Sequence, residues 1–242
     1  MTKMRRLPLF AWIFLPITLM VSFVSPASGA SPVPVLEYHS IQDNQKDPYC
    51  VAPAKFEEEL RSILRMGYHP ITATELLQMW TKHQAAVPKP ILLTFDDGYE
   101  DNYTHLYPIL KKYHVKATIF LATSFIGRPN FLTWDEIKQM QQSGIVDFES
   151  HTVHHPNLLK EKTDEVKAEF EQSRKVLEAH LHKPVRVLAY PFGNHKTYMY
   201  PMLKKAGYQM AFDSDPGLAS EKQGMFALHR IETTTDRFFP IG

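Results

Sequence analysis

Thr94-Phe95-Asp96-Asp97-Gly98-Tyr99 follows the apolar run Ile91-Leu92-Leu93, which places two adjacent carboxylates at the end of a predicted strand. Neighbouring acids make each other costly to ionise unless a cation or a proton is shared between them. A second polar cluster, His151-Thr152-Val153-His154-His155, also comes directly after an apolar stretch, Ile145 to Phe148. One carboxylate with two imidazoles is the ligand set expected of a divalent, zinc-like ion that keeps one position open for water. The second carboxylate is then free to act as a base. An Asp-Asp-Gly sequence by itself suits a plain turn equally well; the combination with the histidines is what points to a metal centre.

The elements that must carry these groups alternate along the chain. Strands are expected at Val33 to Tyr38, Ile91 to Phe95, Ala117 to Ala122, Ile145 to Glu149, Val185 to Tyr190, Met210 to Phe212 and Phe226 to Ile231. Helical spacing of apolar residues (Phe56, Leu60, Ile63, Leu64) predicts a helix over Ala54 to Met66. Further helices are expected from Thr74 as N-cap, at Leu106 to His114, from Thr133 as N-cap to Met140, at Thr163 to His182 and at Tyr198 to Lys205. Such βα alternation implies a parallel sheet. The strand number is too high for an open sandwich of this length and suits a barrel, whose chemistry collects at the C-terminal ends of its strands. His39, Asp96-Asp97, His151 to His155 and the turn Tyr190-Pro191-Phe192-Gly193 all fall at such ends.

Lys3, Arg5 and Arg6 precede an apolar run from Leu7 to Val24, and Ser28-Gly29-Ala30 fits a signal-peptidase site. Residues 1–30 are therefore expected to be a signal peptide, or an uncleaved anchor, since the run is about long enough to span a bilayer. Either way the single domain at 31–242 is expected to be secreted or attached at the extracellular surface. A net charge of +1, from 27 basic and 26 acidic residues, offers no field for nucleic acid. Cys50 is the sole cysteine, so the core and not an internal disulfide must hold the fold.

The motifs at 94–99 and 151–155 resemble the first two of the carbohydrate esterase family 4 polysaccharide deacetylases (NodB-homology domain). Leu36-Glu37-Tyr38-His39-Ser40-Ile41 is similar to the opening of the subgroup related to poly-N-acetylglucosamine deacetylases, in which the motif order is permuted. The resemblance implies a distorted (β/α) barrel of about seven parallel strands. It also implies metal-dependent hydrolysis of N-acetyl groups on the N-acetylglucosamine units of a polysaccharide. The protein itself is expected to be a monomer that touches a membrane only through residues 1–30, if these stay uncleaved. Carried over, Asp97, His151 and His155 bind the metal, most simply Zn²⁺ with Co²⁺ or Ni²⁺ as substitutes; Asp96 is the general base and His39 protonates the departing amine. The third motif, an Arg-x-Pro-Tyr-Gly type turn, corresponds to Ala189-Tyr190-Pro191-Phe192-Gly193, so Ala189 stands where an arginine normally balances the base. Arg230 on the last strand is a candidate for that place and for substrate contact.

Several positions have rivals. His229 in Leu228-His229-Arg230 competes with His39 for the acid; His39 is preferred because it ends a strand, whereas His229 sits inside one. Tyr190 and Trp134 are candidates to stack on sugar faces, and the backbone N–H of Phe192 is a candidate oxyanion donor. Two other functions stand beside deacetylation: a carbohydrate-binding barrel without catalysis, suggested by the missing motif arginine, and an O-acetyl esterase using the same chemistry.

Overall fold

The computed structural model describes residues 31–44, 46–82, 87–234 and 236; the leader expected at 1–30 lies outside them. The strands are β1 (Val35–Tyr38), β2 (His69–Ile71), β3 (Pro90–Phe95), β4 (Ala117–Leu121), β5 (Val146–Ser150), β6 (Val187–Ala189), β7 (Met210–Pro216) and β8 (Leu228–Glu232). The helices are α1 (Pro53–Arg65), α2 (Ala73–Lys82), α3 (Tyr107–Tyr113), α4 (Trp134–Gln142), α5 (Thr163–Leu181) and α6 (Tyr200–Ala206). All strand pairings are parallel, in the order β1-β8-β7-β6-β5-β4-β3, and β1 pairs with β3 to close a barrel of seven strands. The short β2, which carries no sequence signal strong enough to single out, pairs with the start of β3.

Two-residue alternation sorts the side chains of each strand between the barrel interior and the helical shell. Val35, Leu92, Phe120, Val187, Ala189, Met210, Phe212 and Leu228 form one buried cluster, which also takes in Leu76, Leu77 and Trp80 of α2. This is the barrel interior, with α2 stopping its lower end; the Ala73 N–H at the start of α2 donates to Thr118 Oγ1 at 2.9 Å. The intervening residues, among them Leu36, Tyr38, Leu93, Phe95, Phe148, Leu188 and Tyr190, pack outward against α1 and the other helices.

Helix starts follow their capping chemistry. Thr133 and Glu136 form a reciprocal capping box on α4. The start of α2 differs from expectation: Thr72, not Thr74, accepts from the Glu75 N–H, while the Glu75 carboxylate accepts from the Thr72 N–H. Thr74 instead donates to Asp147 at 2.7 Å.

That contact belongs to a buried ionic cluster low in the barrel. Glu149 is fully buried; it accepts from the N–H groups of Arg186 and Val187, both at 2.8 Å, and Lys183 lies 2.9 Å from it and 2.8 Å from Asp147. Burial pushes the Glu149 carboxyl up to about 7 even with Lys183 pulling it down. A carboxyl raised on folding gives stability that is complete below its unfolded value of 4.5 and lost as pH rises through 7. Lys183→Met strands two acids without their cation and is expected to cost about 3 kcal/mol or more. The loss should grow between pH 5 and pH 8, where the uncompensated carboxylates must ionise; denaturant melts at the two pH values measure it.

Candidate metal-dependent active site

The site lies where the alternation brings polar residues to the upper ends of the strands. Thr94 and Asp96 continue the inward face of β3, Glu37 and His39 that of β1, Glu149 and His151 that of β5, and Arg230 and Glu232 that of β8. A cleft of about 420 Å³ opens over them, lined by His39, Asp96, Asp97, His151, His155 and Phe192 among others.

The three proposed ligands converge. His151 Nε2 lies 3.5 Å and His155 Nε2 3.4 Å from the same oxygen, Asp97 Oδ1, and that oxygen is buried without a hydrogen-bond partner. Two imidazole lone pairs aimed at one orphaned carboxylate oxygen repel unless a cation or proton sits among them, so the residues fit a divalent ion. His151 Nδ1 lies 2.8 Å from the Ala189 carbonyl and donates to it, which leaves Nε2 unprotonated and facing Asp97. Burial holds His151 down at about 3 and lowers His155 as well, keeping both rings neutral and fit to ligate. Burial also pushes the Asp97 carboxyl up to about 6, with His39 opposing that rise and Asp96 adding to it.

Local backbone geometry aims these groups. Asp97 and Gly98 have φ of 73° and 79°, so the chain turns sharply after β3. Only glycine fits at 98, where a Cβ would stand 2.6 Å from Leu121 Cδ2. The histidine loop holds Thr152 and His155 at positive φ, and Thr152 Oγ1 accepts from the His155 N–H at 3.2 Å. Glu169 of α5 pins the same loop by accepting from the N–H groups of Val153 and His154, and from the His154 ring at 2.6 Å. His154 is thus turned away from the ligands.

Asp96 has a different environment. Burial would raise its carboxyl, but the Arg230 guanidinium holds it well below the usual carboxylate range. Arg230 grips it with both ends of its fork, Nη1 to Oδ1 at 2.9 Å and Nη2 to Oδ2 at 2.8 Å. Two adjacent acids are therefore driven apart: one is ionised and held rigidly, the other is poised to accept a cation.

Arg230 takes the place left by Ala189, which points inward at the end of β6. The arginine is fully buried and also lies 3.0 Å from Glu37, so it has no surface to offer a substrate. The expected sugar-stacking roles of Tyr190 and Trp134 are corrected too. Tyr190, one residue past inward-facing Ala189, points outward; its ring is buried and its hydroxyl donates to the Phe226 carbonyl. The Trp134 ring stacks on His180 of α5 at 3.9 Å and is not among the cleft residues. Phe192 does reach the cleft: it is 62% exposed, sits at φ 59° and packs edge-on against His155 at 4.6 Å. Gly193 allows this turn, since a Cβ there would lie 2.6 Å from the Ser214 backbone nitrogen.

His39 faces the cleft, and its ring nitrogen is placed with a carboxylate oxygen of Asp96 and one of Glu37 within 4.8 Å of one another. His229 faces outward because its neighbour Arg230 faces in; its Nδ1 lies 3.1 Å from Asp213. Residues that sequence reading missed include Glu37, Tyr99, which lines the cleft with Asp97, and Phe125 beside His155. Glu37 was legible in principle, two positions before His39 on the same strand face. Cys50 is buried, and burial raises its thiol.

A closed parallel barrel with a carboxylate, two neutral imidazoles and an arginine-clamped second acid at its upper rim is the arrangement of a metal-dependent hydrolase. Residues 83–211 match the family described as "Polysaccharide deacetylase". The chain is 37% identical over 202 residues to YxkH of Bacillus subtilis (strain 168), covering 84% of this chain and 71% of that protein. It is 30% identical over 204 residues to the poly-beta-1,6-N-acetyl-D-glucosamine N-deacetylase of Staphylococcus aureus (strain MRSA252), covering 78% and 70%. The solved structure of the Streptococcus pyogenes deacetylase PplD in complex with acetate superposes with a TM-score of 0.79 at 28% identity, covering 85% of this chain and 95% of that one. The chain belongs to the polysaccharide deacetylase family.

Proposed function

We propose that the protein is a metal-dependent N-deacetylase of a polysaccharide containing N-acetylglucosamine, with Asp97, His151 and His155 holding the metal. The observation that carries this reading is the orphaned Asp97 Oδ1 faced by two neutral imidazole nitrogens beside a clamped carboxylate. A bound divalent ion supplies a water acidified towards a pKa of about 7 and polarises the acetyl carbonyl. Asp96, ionised and immobilised by Arg230, accepts the proton of the attacking water. His39, at the end of the neighbouring strand in the same cleft, delivers a proton to the amine nitrogen as the C–N bond breaks. The backbone N–H of Phe192, on the exposed turn whose ring packs against His155, is the proposed oxyanion donor. Zinc is the proposed native ion, with cobalt or nickel able to replace it.

An active arginine clamp argues against a barrel that only binds sugar, since the base that Ala189 would have left unbalanced is fully charge-paired. The enzyme is proposed to work as a monomer outside the cytoplasm, on the strength of the basic and apolar leader at 1–30. Acetate release from a panel of poly-N-acetylglucosamine, chitin oligomers, peptidoglycan and O-acetylated xylan tests the reading. Release from the first three should stop on chelation and return with zinc or cobalt. Release from O-acetylated xylan alone would favour an esterase, and no release with any metal would refute catalysis.

The assignment of the acid gives a further expectation. His39→Ala should lower turnover of N-acetyl substrates by about 10²- to 10⁴-fold at unchanged metal content by elemental analysis. His229→Ala, on the outer face, should change it less than about threefold. The opposite ranking would move the acid to β8.

A further inference from the structure

Glu37 carries an interaction that the reaction as described does not use. Its carboxylate is 4% exposed in the upper barrel; Ser214 Oγ donates to Oε1 at 2.9 Å, and Arg230 Nη2 lies 3.0 Å from the same oxygen. The other oxygen, Oε2, is buried without a hydrogen-bond partner, and so is His39 Nδ1. Buried polar atoms are seldom left orphaned, and each such atom calls for an explanation. These two orphans belong to residues two apart on one strand face, with a Glu37 oxygen and a His39 ring nitrogen within 4.8 Å. That gap exceeds a hydrogen bond, but catalytic contacts are commonly long in free enzymes and tighten around the substrate.

We propose that Glu37 is the positioning residue for His39: its Oε2 takes the His39 Nδ1–H, directly or through one water, and so dedicates Nε2 to the proton delivered to the leaving amine. The inference rests on His39 being the acid of the deacetylation proposed above. The bookkeeping of the step is complete without a further reactant. The C–N electron pair passes to nitrogen, the nitrogen takes the Nε2 proton, and the water oxygen stays on the acetyl carbon as acetate. His39 is left neutral with Nδ1–H still held by Glu37, and Nε2 regains its proton from solvent.

Other charged and titratable groups face the same ring. Asp96 and Asp97 approach from the end of β3, His151 and His155 from β5 and its loop, Arg230 and Glu232 from β8, and Asp47 and Tyr49 from the loop after β1. Asp96 is committed to Arg230 and Asp97 to the ligand cluster. Glu37 is held in place by Ser214 and Arg230 and keeps its Oε2 without a hydrogen-bond partner.

Leaving-group dependence separates this role from a merely structural one. An N-acetyl substrate expels an amine that must be protonated, whereas an aryl acetate such as 4-nitrophenyl acetate expels a stable phenolate without an acid. Glu37→Gln should therefore lower the ratio of kcat on N-acetylglucosamine oligomers to kcat on the aryl acetate by about 10- to 100-fold, the range found for groups that orient a working residue. His39→Ala should lower the same ratio, and the double variant should lower it no further than His39→Ala alone. Glu37→Asp, which keeps the charge but withdraws it, should give a smaller drop in the ratio. Ser214→Ala, which frees the Glu37 carboxylate with little risk to folding, should also lower the ratio, and it provides the test if Glu37→Gln does not fold. Equal losses on both substrates would place Glu37 with Arg230 and Asp96 and overturn the proposal, as would no loss on either. Wild-type enzyme inactive on every acetylated sugar would instead remove the deacetylase reading on which the proposal stands.

Discussion

Asp97→Asn and His151→Ala should each bring acetate release down by at least about 10³-fold and bound metal from one equivalent per chain to near zero. The magnitude follows from the ion's share of the barrier: several kcal/mol of charge stabilisation at about 1.4 kcal/mol for each factor of ten. Asp97→Asn is the cleaner test of the two. Asparagine tolerates the positive φ of 73° at this position and keeps the side-chain volume. It also makes a prediction that a folding defect would not. Without metal, the Asp97 carboxyl is pushed up to about 6 by burial, so it takes up a proton on folding and weakens the metal-free protein as pH rises through that value. The chelated variant should therefore melt no lower than chelated wild type at pH 8, while only wild type gains melting temperature when zinc is added. A variant that still binds one zinc and hydrolyses at the wild-type rate would refute the ligand assignment.

Arg230→Met should have the next largest effect, and on two quantities at once. The side chain is 0% exposed and touches both Asp96 and Glu37, so its loss leaves two buried acids facing each other without a cation. Removing one partner of a buried ion pair costs about 3–5 kcal/mol. Asp96 would then keep its proton at neutral pH, because burial, which acts to raise its carboxyl, would no longer be outweighed by the guanidinium. The base would be lost, and kcat should fall by about 10²- to 10³-fold, with the remaining activity rising at alkaline pH where Asp96 ionises. Arg230→Lys should recover part of the stability and little of the activity, since an ammonium cannot span both oxygens of Asp96. A variant as stable and as active as wild type would refute the clamp.

The sequence carried most of the chemistry. Acid pair and histidine cluster each followed an apolar strand, and strand ends in a parallel barrel share one rim; that rule alone was enough to bring Asp96, Asp97, His151 and His155 together. Thr133 as the cap of α4 was likewise local, since a threonine and a glutamate three residues on satisfy each other's backbone. β2 was missed because three residues, His69-Pro70-Ile71, are too few to show a period. The cap of α2 was misplaced by two residues because Thr74 and Thr72 look alike until Thr74 is drawn to Asp147.

The stacking role given to Tyr190 failed for a simpler reason. Residue type says that an aromatic ring can cover a sugar; strand phase decides whether it faces the cleft or the helices. Once Ala189 and Arg230 are placed inward, Tyr190 and His229 must point out, so the same phase that removes Tyr190 from the cleft also turns His229 away from it while His39 faces in.

By itself, then, the amino-acid sequence determined the fold class and which residues form the candidate ligand triad and the candidate base beside it, because each is written in short segments whose periodicity or neighbours can be read locally. Tertiary structure alone decided that Arg230 pairs with Asp96 and that Glu37 lies beside His39. Arg230 and Asp96 lie far apart along the chain and on strands that are not paired with each other, and Glu37 meets them only where barrel closure sets β1 between β3 and β8. Contacts across a closed barrel depend on the register of every intervening strand, and no local pattern encodes that sum.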